Sequence, residues 1–287
     1  MTPLVLEAPA KLNLSLWVVG RRHDGYHLLE TEMVLLELAD RLLLMPGAAG
    51  LRVEAPGGEL PVDRSNLAWR GLLAGLGSEP DLLCLTLEKR IPVGSGLGGG
   101  SSDAAAAWRL GRRAVGAPEM PSADDLVALA LLGADVPFFA ASCAAARVAG
   151  IGERVSPTPV PTATSVVLLH PPFGMSTAAV FAELRPDDVG SHQPGANDLL
   201  APALRLRPEL SHLMRKVEDA GGAPRLTGSG STIFTQTDDP ERAAAVAAAL
   251  RWAGLRVTET RLRSAPAAIE ELDDPPGEGG VPAPSMG

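Results

Sequence analysis

Pro92-Val93-Gly94-Ser95-Gly96-Leu97-Gly98-Gly99-Gly100-Ser101-Ser102-Asp103 runs straight into four alanines at 104–107. Glycine has no Cβ, so such a backbone can turn tightly and bring its N–H groups close to a ligand. A helix opening at the end of the run adds its own unpaired N–H groups and the positive end of its dipole. The stretch therefore reads as an anion cradle, and a nucleotide triphosphate is the anion it suits. A flexible linker is the plainer alternative, but linkers seldom join a strand to a capped helix, which is what the flanking residues predict.

Three phosphate-binding patterns compete for this loop. The Walker pattern requires a Lys after its last glycine to reach the terminal phosphates, whereas Gly99 is followed by Gly100 and Ser101. That excludes it. Gly94, Gly96 and Gly99 satisfy G-x-G-x-x-G, the dinucleotide fingerprint, which also needs a preceding strand and a ribose-binding acid about 20 residues later. A strand is predicted over 82–89, but Glu119 and Asp124 match the acid's position only loosely. The third pattern is built on a Pro, a G-L-G step, paired serines and alanines. Pro92, Gly96-Leu97-Gly98, Ser101-Ser102 and the alanines supply it.

With 287 residues, 46% of them hydrophobic, the chain can bury a sizeable core in one large or two medium domains. Aromatics are only 3%, so Leu, Val and Ala must build that core. A formal charge of −9 argues against a general nucleic-acid or anionic-membrane binder, which would need a positive footprint. A triphosphate still needs a locally positive site. The loop amides, the helix terminus, Lys11, Lys89, Arg90 and a divalent cation are the candidates to supply it. Cys84 and Cys143 form no C-x-x-C pair and the five histidines no H-E-x-x-H, so no structural zinc site is expected. The first residues lack the charged and apolar regions of a leader, and no apolar run reaches the ~20 residues of a membrane span. A cytoplasmic protein that crosses no membrane is the expectation.

Residues 10–19 alternate, with Leu12, Leu14, Leu16 and Val18 on one face and Lys11, Asn13 and Ser15 on the other, which predicts a half-buried strand. Asp24-Gly25 marks a turn. Further strands are predicted over 26–38, 41–45, 51–55 and 82–89, and helices over 66–76 and 103–115, the latter capped by Ser101 or Ser102. Ser122-Ala123-Asp124-Asp125 resembles a capping box opening a helix that Gly133 ends. Pro157-Thr158-Pro159-Val160-Pro161 reads as an interdomain linker. Beyond it come a strand over 165–169, helices from Thr177 and over 208–220, a glycine turn, a helix over 240–252 and a strand over 255–262. This order predicts an α+β sandwich. From 265 to 287 the chain is rich in Pro, Gly and acids without periodicity, and disorder is expected.

Lys11 and Asn13 project from one strand face about 6.6–6.8 Å apart along it. A Lys there can neutralise a transferring phosphoryl group, although alternation alone favours a solvated outer face. Asp135, in Gly133-Ala134-Asp135-Val136-Pro137-Phe138-Phe139, can take a proton from a substrate hydroxyl or cap a helix in which Pro137 stands near the first position. The two roles are compatible. Thr227-Gly228-Ser229-Gly230-Ser231 makes a hairpin turn or a second ligand loop. Tyr26 and His27 can stack on and hydrogen-bond a base, or merely pack.

Six segments carry a resemblance when taken in order: Pro9 to Leu14, Asp24 to His27, Pro92 to Ala106, Gly133 to Phe139, Gly150 to Glu153 and Leu226 to Phe234. Together they are similar to the GHMP small-molecule kinases, and the triple glycine followed by Ser-Ser-Asp resembles the branch acting on a cytidine diphosphate-linked methylerythritol. The resemblance implies an α+β GHMP fold: an ATP-binding domain over 1–157 like the second domain of ribosomal protein S5, and a ferredoxin-like domain over 162–264. The site would lie between them. It implies that ATP, the phosphoryl donor, lies against Pro92, Val93, Gly94, Ser95, Gly96, Leu97, Gly98, Gly99, Gly100, Ser101 and Ser102, with Asn66 near its adenine. Mg2+ is expected with it, its protein ligands unassigned. Asp135 becomes the base and Lys11 its catalytic partner; Asn13, Tyr26 and His27 meet the small-molecule substrate, and Phe181 forms a cytosine sandwich with Tyr26. A straight hairpin would carry Tyr26 and His27 several residues beyond Lys11, at about 3.3 Å each, so the turn is expected to fold back toward an elongated substrate. Another kinase of the superfamily, a nucleotide-binding protein without catalysis, and an NAD-dependent oxidoreductase are the alternatives.

Overall fold

The alternation after Pro9 belongs to a strand much longer than the repeat. A computed structural model describes residues 2–55, 60–80, 82–162 and 164–272. In it β1 (Leu4–Arg21) and β2 (His27–Pro46) form an antiparallel hairpin, so the strands predicted over 26–38 and 41–45 are one. The chain continues through β3 (Gly50–Glu54), α1 (Leu67–Leu76), β4 (Leu83–Glu88), α2 (Gly99–Ala114), α3 (Ala123–Ala130), α4 (Val136–Ala140), β5 (Ala145–Gly150) and β6 (Arg154–Pro157). One edge of β2 is covered by β1. The other forks: Leu29 to Val34 pair with β5, and Arg41 to Pro46 pair with β4, which runs parallel to β3.

Two helices lie close enough on this sheet for their backbones to touch. Asn66 caps α1 by accepting from the Ala68 N–H at 2.9 Å. A Cβ on Gly71 would stand 2.1 Å from the Ala104 carbonyl oxygen, and one on Gly75 2.2 Å from that of Trp108. Only glycine fits at either place. The capping box at Ser122 forms as the sequence predicts. The cap expected at Ser101 or Ser102 does not: α2 starts at Gly99, and its N-cap is Gly98 with φ 74°. A left-handed residue turns the loop directly into the helix, which costs glycine nothing, and both serines fall inside the first turn.

The second half is built as β7 (Ser165–His170), α5 (Thr177–Ala182), α6 (Leu200–Leu206), α7 (Glu209–Asp219), β8 (Arg225–Leu226), β9 (Ile233–Thr237), α8 (Pro240–Trp252) and β10 (Arg256–Arg261). Its strands lie in the order β10-β7-β9-β8, all neighbours antiparallel, which is the β-α-β-β-α-β arrangement of a ferredoxin-like sheet. β7 is buried on both faces. Val167 and Leu169 pack with Val217, Val246 and Leu250 of the helices, while Val166 and Leu168 pack with Leu12 and Leu36 of the first sheet. That second contact joins the two halves.

The disorder expected from residue 265 does not hold at its start. Ala267 is buried among Leu4, Leu6 and Leu110, its carbonyl accepts from Arg109 Nη1 at 2.9 Å, and β11 (Glu270–Glu271) pairs with Leu4 and Val5. The outer edge of β1 offers unpaired backbone groups, and a short extended segment satisfies them whatever its hydrophobicity. Residues 273–287 lie outside the described residues.

Candidate active site

Lys11 and Asn13 are 3% and 4% exposed, so the solvated-face alternative is wrong. The sheet is covered on both sides. Lys11 Nζ donates to Asn13 Oδ1 at 2.6 Å and to the Gly96 carbonyl at 3.0 Å, and stands 3.4 Å from Asp135 Oδ2. Asn13 Nδ2 donates to Thr31 Oγ1 at 2.8 Å, which turns the amide oxygen toward the lysine. Asp135 precedes α4 with φ −89° and ψ −13° and makes no side-chain cap bond. A capping side chain needs an extended backbone at that position. The helical one here instead leaves the carboxylate to face Lys11, with 28% of the side chain exposed.

Gly94, Gly96 and Gly98 have φ of 67°, 80° and 74°, the region that favours glycine. A Cβ on Gly96 would sit 2.5 Å from the Gly230 carbonyl oxygen, so the two glycine turns meet backbone to backbone. Thr232 N donates to Ser95 O at 3.1 Å, and Asn13 N to Thr227 Oγ1 at 3.1 Å. The second turn thus supports the first and the lysine together. Asn197, which the sequence did not single out, holds this turn by donating from Nδ2 to Leu226 O at 3.0 Å and Gly228 O at 2.8 Å. No periodicity or motif surrounds it; only its place in the fold marks it.

Three cavities follow one another along this surface. The first, about 500 Å3, is lined by Asn66, Lys89 and Pro92, Val93, Gly94, Ser95, Gly96, Gly98, Gly99, Gly100 and Ser101. Leu97 and Ser102 are absent from its wall. Leu97 packs with Leu12 and Val166 in the core, and Ser102 is 1% exposed. The second cavity, about 320 Å3, contains Lys11, Asn13, Asp135 and Phe181 and shares Gly96, Gly98 and Ser101 with the first. The third, about 720 Å3, contains Arg21, Tyr26 and His27 and shares Leu29, Ala134 and Phe181 with the second. Thr177 borders all three. They make one elongated cleft with the Lys11–Asp135 pair at its centre.

At the far end His27 stacks on Phe181 with centroids 4.9 Å apart and planes at 14°, while Tyr26 is 66% exposed. Tyr26 and Phe181, which the resemblance places on either side of a cytosine, both line this third cavity. Arg21 and His27 close a ladder whose register shifts between Pro9 and Lys11, between Asn13 and Ser15 and between Val18 and Gly20, and Thr177 and Phe181 of α5 line both this cavity and the one at Lys11. Partial burial, reinforced by the Arg21 charge, holds the His27 pKa below its usual value.

The expected positive surroundings are also revised. Lys89 donates to both Asp40 and Asp103, the latter at 2.7 Å, so its charge is matched within the protein. Burial pulls its pKa down, but the two carboxylates outweigh that and raise it. Burial first and the Asp40 charge second push the Asp103 pKa up, against the pull of Lys89. Arg90 points outward and lies 3.6 Å from Glu88. Among the described residues no three His, Cys, Asp or Glu side chains form a metal-holding group, and no helix is long and apolar enough to cross a membrane.

The family models for the GHMP kinases N-terminal domain and the GHMP kinases C-terminal domain match residues 66–143 and 180–254. A 4-diphosphocytidyl-2-C-methyl-D-erythritol kinase of Thermus thermophilus is 40% identical over 271 residues, covering 86% of this chain and 94% of that protein. Its counterpart from Granulibacter bethesdensis is 40% identical over 262 residues, covering 82% and 86%. A crystal structure of 4-(cytidine 5'-diphospho)-2C-methyl-D-erythritol kinase superposes with a TM-score of 0.73 at 37% identity, over 90% of this chain and 98% of that one. A mevalonate kinase structure, 12% identical with a TM-score of 0.60, shares the fold.

Proposed function

We infer the workings of this cleft from the premise that the chain belongs to the GHMP kinase family, and within it to the 4-diphosphocytidyl-2-C-methyl-D-erythritol kinases. Its activity is the ATP-dependent phosphorylation of the 2-hydroxyl of 4-diphosphocytidyl-2-C-methyl-D-erythritol, in the methylerythritol phosphate route to isoprenoids. The observation that carries the assignment of roles is the position of Lys11, whose ammonium touches both the phosphate loop at Gly96 and the Asp135 carboxylate.

The ATP phosphates lie in the first cavity, against the loop amides and the start of α2. The acceptor occupies the second and third, with its hydroxyl at Asp135 and its cytidine end toward Tyr26, His27 and Phe181. Asp135 Oδ2 takes the hydroxyl proton as the acceptor oxygen bonds to the γ-phosphorus and the bond from that phosphorus to the β-phosphate oxygen breaks, releasing ADP. Lys11 faces the charge that spreads over the transferring group, and Asn13 keeps the lysine in place. His27, held neutral, offers a ring nitrogen to donate and another to accept at a base edge. Among the described residues no three acidic side chains form a metal-holding group, and Ser101, which lines both the first and second cavities, would offer its hydroxyl to a Mg2+ that arrives on the nucleotide. Such an ion would neutralise the β- and γ-phosphoryl oxygens, with Ser101 as its protein contact. Residues 1–157 and 162–264 are assigned as the two domains, with 265–272 returning to the first, and the protein as cytoplasmic.

A coupled assay of ADP release over a panel of acceptors tests this. Turnover is expected with 4-diphosphocytidyl-2-C-methyl-D-erythritol in the presence of ATP and Mg2+. Phosphorylation of mevalonate or homoserine in its place, or of nothing in the panel, overturns it.

A further inference from the structure

A buried ion cluster lies at both ends of the phosphate loop, and two of its members, Lys89 and Asp103, also stand on the wall of the first cavity. Asp40 sits on β2 at the fork, after the pairing with β5 stops at Val34 and before the pairing with β4 starts at Arg41. Its carboxylate accepts from Lys89 Nζ and from the backbone N–H groups of Arg90 and Ile91, the residues that lead into the loop. Lys89 also donates to Asp103, one turn into α2 from the end of the loop. Asp40, Lys89 and Asp103 are 0%, 7% and 3% exposed. A Cβ on Gly99 would lie 3.2 Å from Lys89 Nζ, so the cluster forms the floor on which the loop turns. Against apolar side chains, buried ions gain little net stability, but they tolerate little variation in distance.

We propose that Asp103 is a positioning residue for the nucleotide: through Lys89 and Asp40 it sets the separation of the loop's two ends and so holds the amide cradle in its binding shape. A loop held at both ends loses less conformational freedom when the phosphates arrive, and the difference appears as affinity. The inference rests on the loop being the ATP site. Asp103→Leu removes the tie without opening a cavity and leaves Lys89 paired with Asp40; Asp103→Asn keeps the shape and an acceptor for Lys89.

Calorimetric titration with a non-hydrolysable ATP analogue, beside steady-state kinetics, decides it. Asp103→Leu is expected to weaken analogue binding and raise the KM for ATP about tenfold, with the acceptor KM and kcat at saturating ATP within about twofold, and Asp103→Asn to restore most of the loss. Unchanged analogue binding, or equal damage to both KM values and kcat, overturns the proposal. Should Asp103→Leu not fold, Asp103→Ala is read against the same outcomes. Failure of the catalytic assignment would show separately, as a wild-type protein that binds the analogue but releases no ADP with the acceptor.

Discussion

Asp135 stands where a helix begins, a position at which a carboxylate ordinarily turns back to the backbone N–H groups behind it. Its own backbone is already helical, and the side chain points across the cleft to Lys11 instead. Asp135→Asn keeps the volume and loses the ability to take a proton. The expected result is a kcat lower by about 10²–10⁴-fold with ATP-analogue affinity nearly unchanged, measured by ADP release and calorimetry. An unaltered kcat would remove Asp135 from the mechanism. The roles proposed for this residue and for Lys11 come from residue type and order along the chain. Their 3.4 Å separation was not, because it depends on α4 and β1 approaching across more than a hundred residues of sequence.

At the scale of elements, the helices were the most legible part. Ser122 announced one of them by a side chain that can accept from the first turn, and that cap forms; the helix expected over 66–76 forms as well, with Asn66 as its cap rather than its first residue. The close contact of α1 with α2 was hidden, since a glycine in a helix reads as a local weakness until the facing backbone is known. Gly71→Ala would drive a methyl group into the Ala104 carbonyl. The expected cost is about 1–3 kcal/mol in urea unfolding, the range for overpacking a tight core. Because α1 starts at Asn66 on the wall of the nucleotide cavity, the same change should also weaken ATP-analogue binding. A variant as stable as the wild type would show that the two helices separate freely.

For the whole molecule, the joint between the halves creates the burial that local patterns could not foresee. His170 ends β7 opposite Arg256, with Nε2 3.0 Å from Thr258 Oγ1, and burial first and the Arg256 charge second hold its pKa down to about 4. The folded state thus refuses a proton that the unfolded chain accepts below an ordinary value of 6.5. Stability from this group is present above that value and falls as pH drops toward 4, by roughly 3 kcal/mol in all. Urea unfolding of His170→Asn should show a shallower loss of stability over this window than the wild type. Parallel pH profiles would rule the histidine out.

The order of motifs along the chain determined the family and the reaction and named the groups proposed to perform it, because each glycine turn, cap and charged residue has local requirements that composition and spacing display. Folding decided which of those groups meet. It buried the polar row of β1, since α2, α4 and the phosphate loop cover the face that alternation would leave to water, and it matched Lys89 with two carboxylates instead of leaving it to the phosphates. It also set Phe181 against His27, because α5 lies along both the cavity at Lys11 and the one at the hairpin's end. These outcomes depend on packing between distant segments, where the relevant distance is in space and not along the chain.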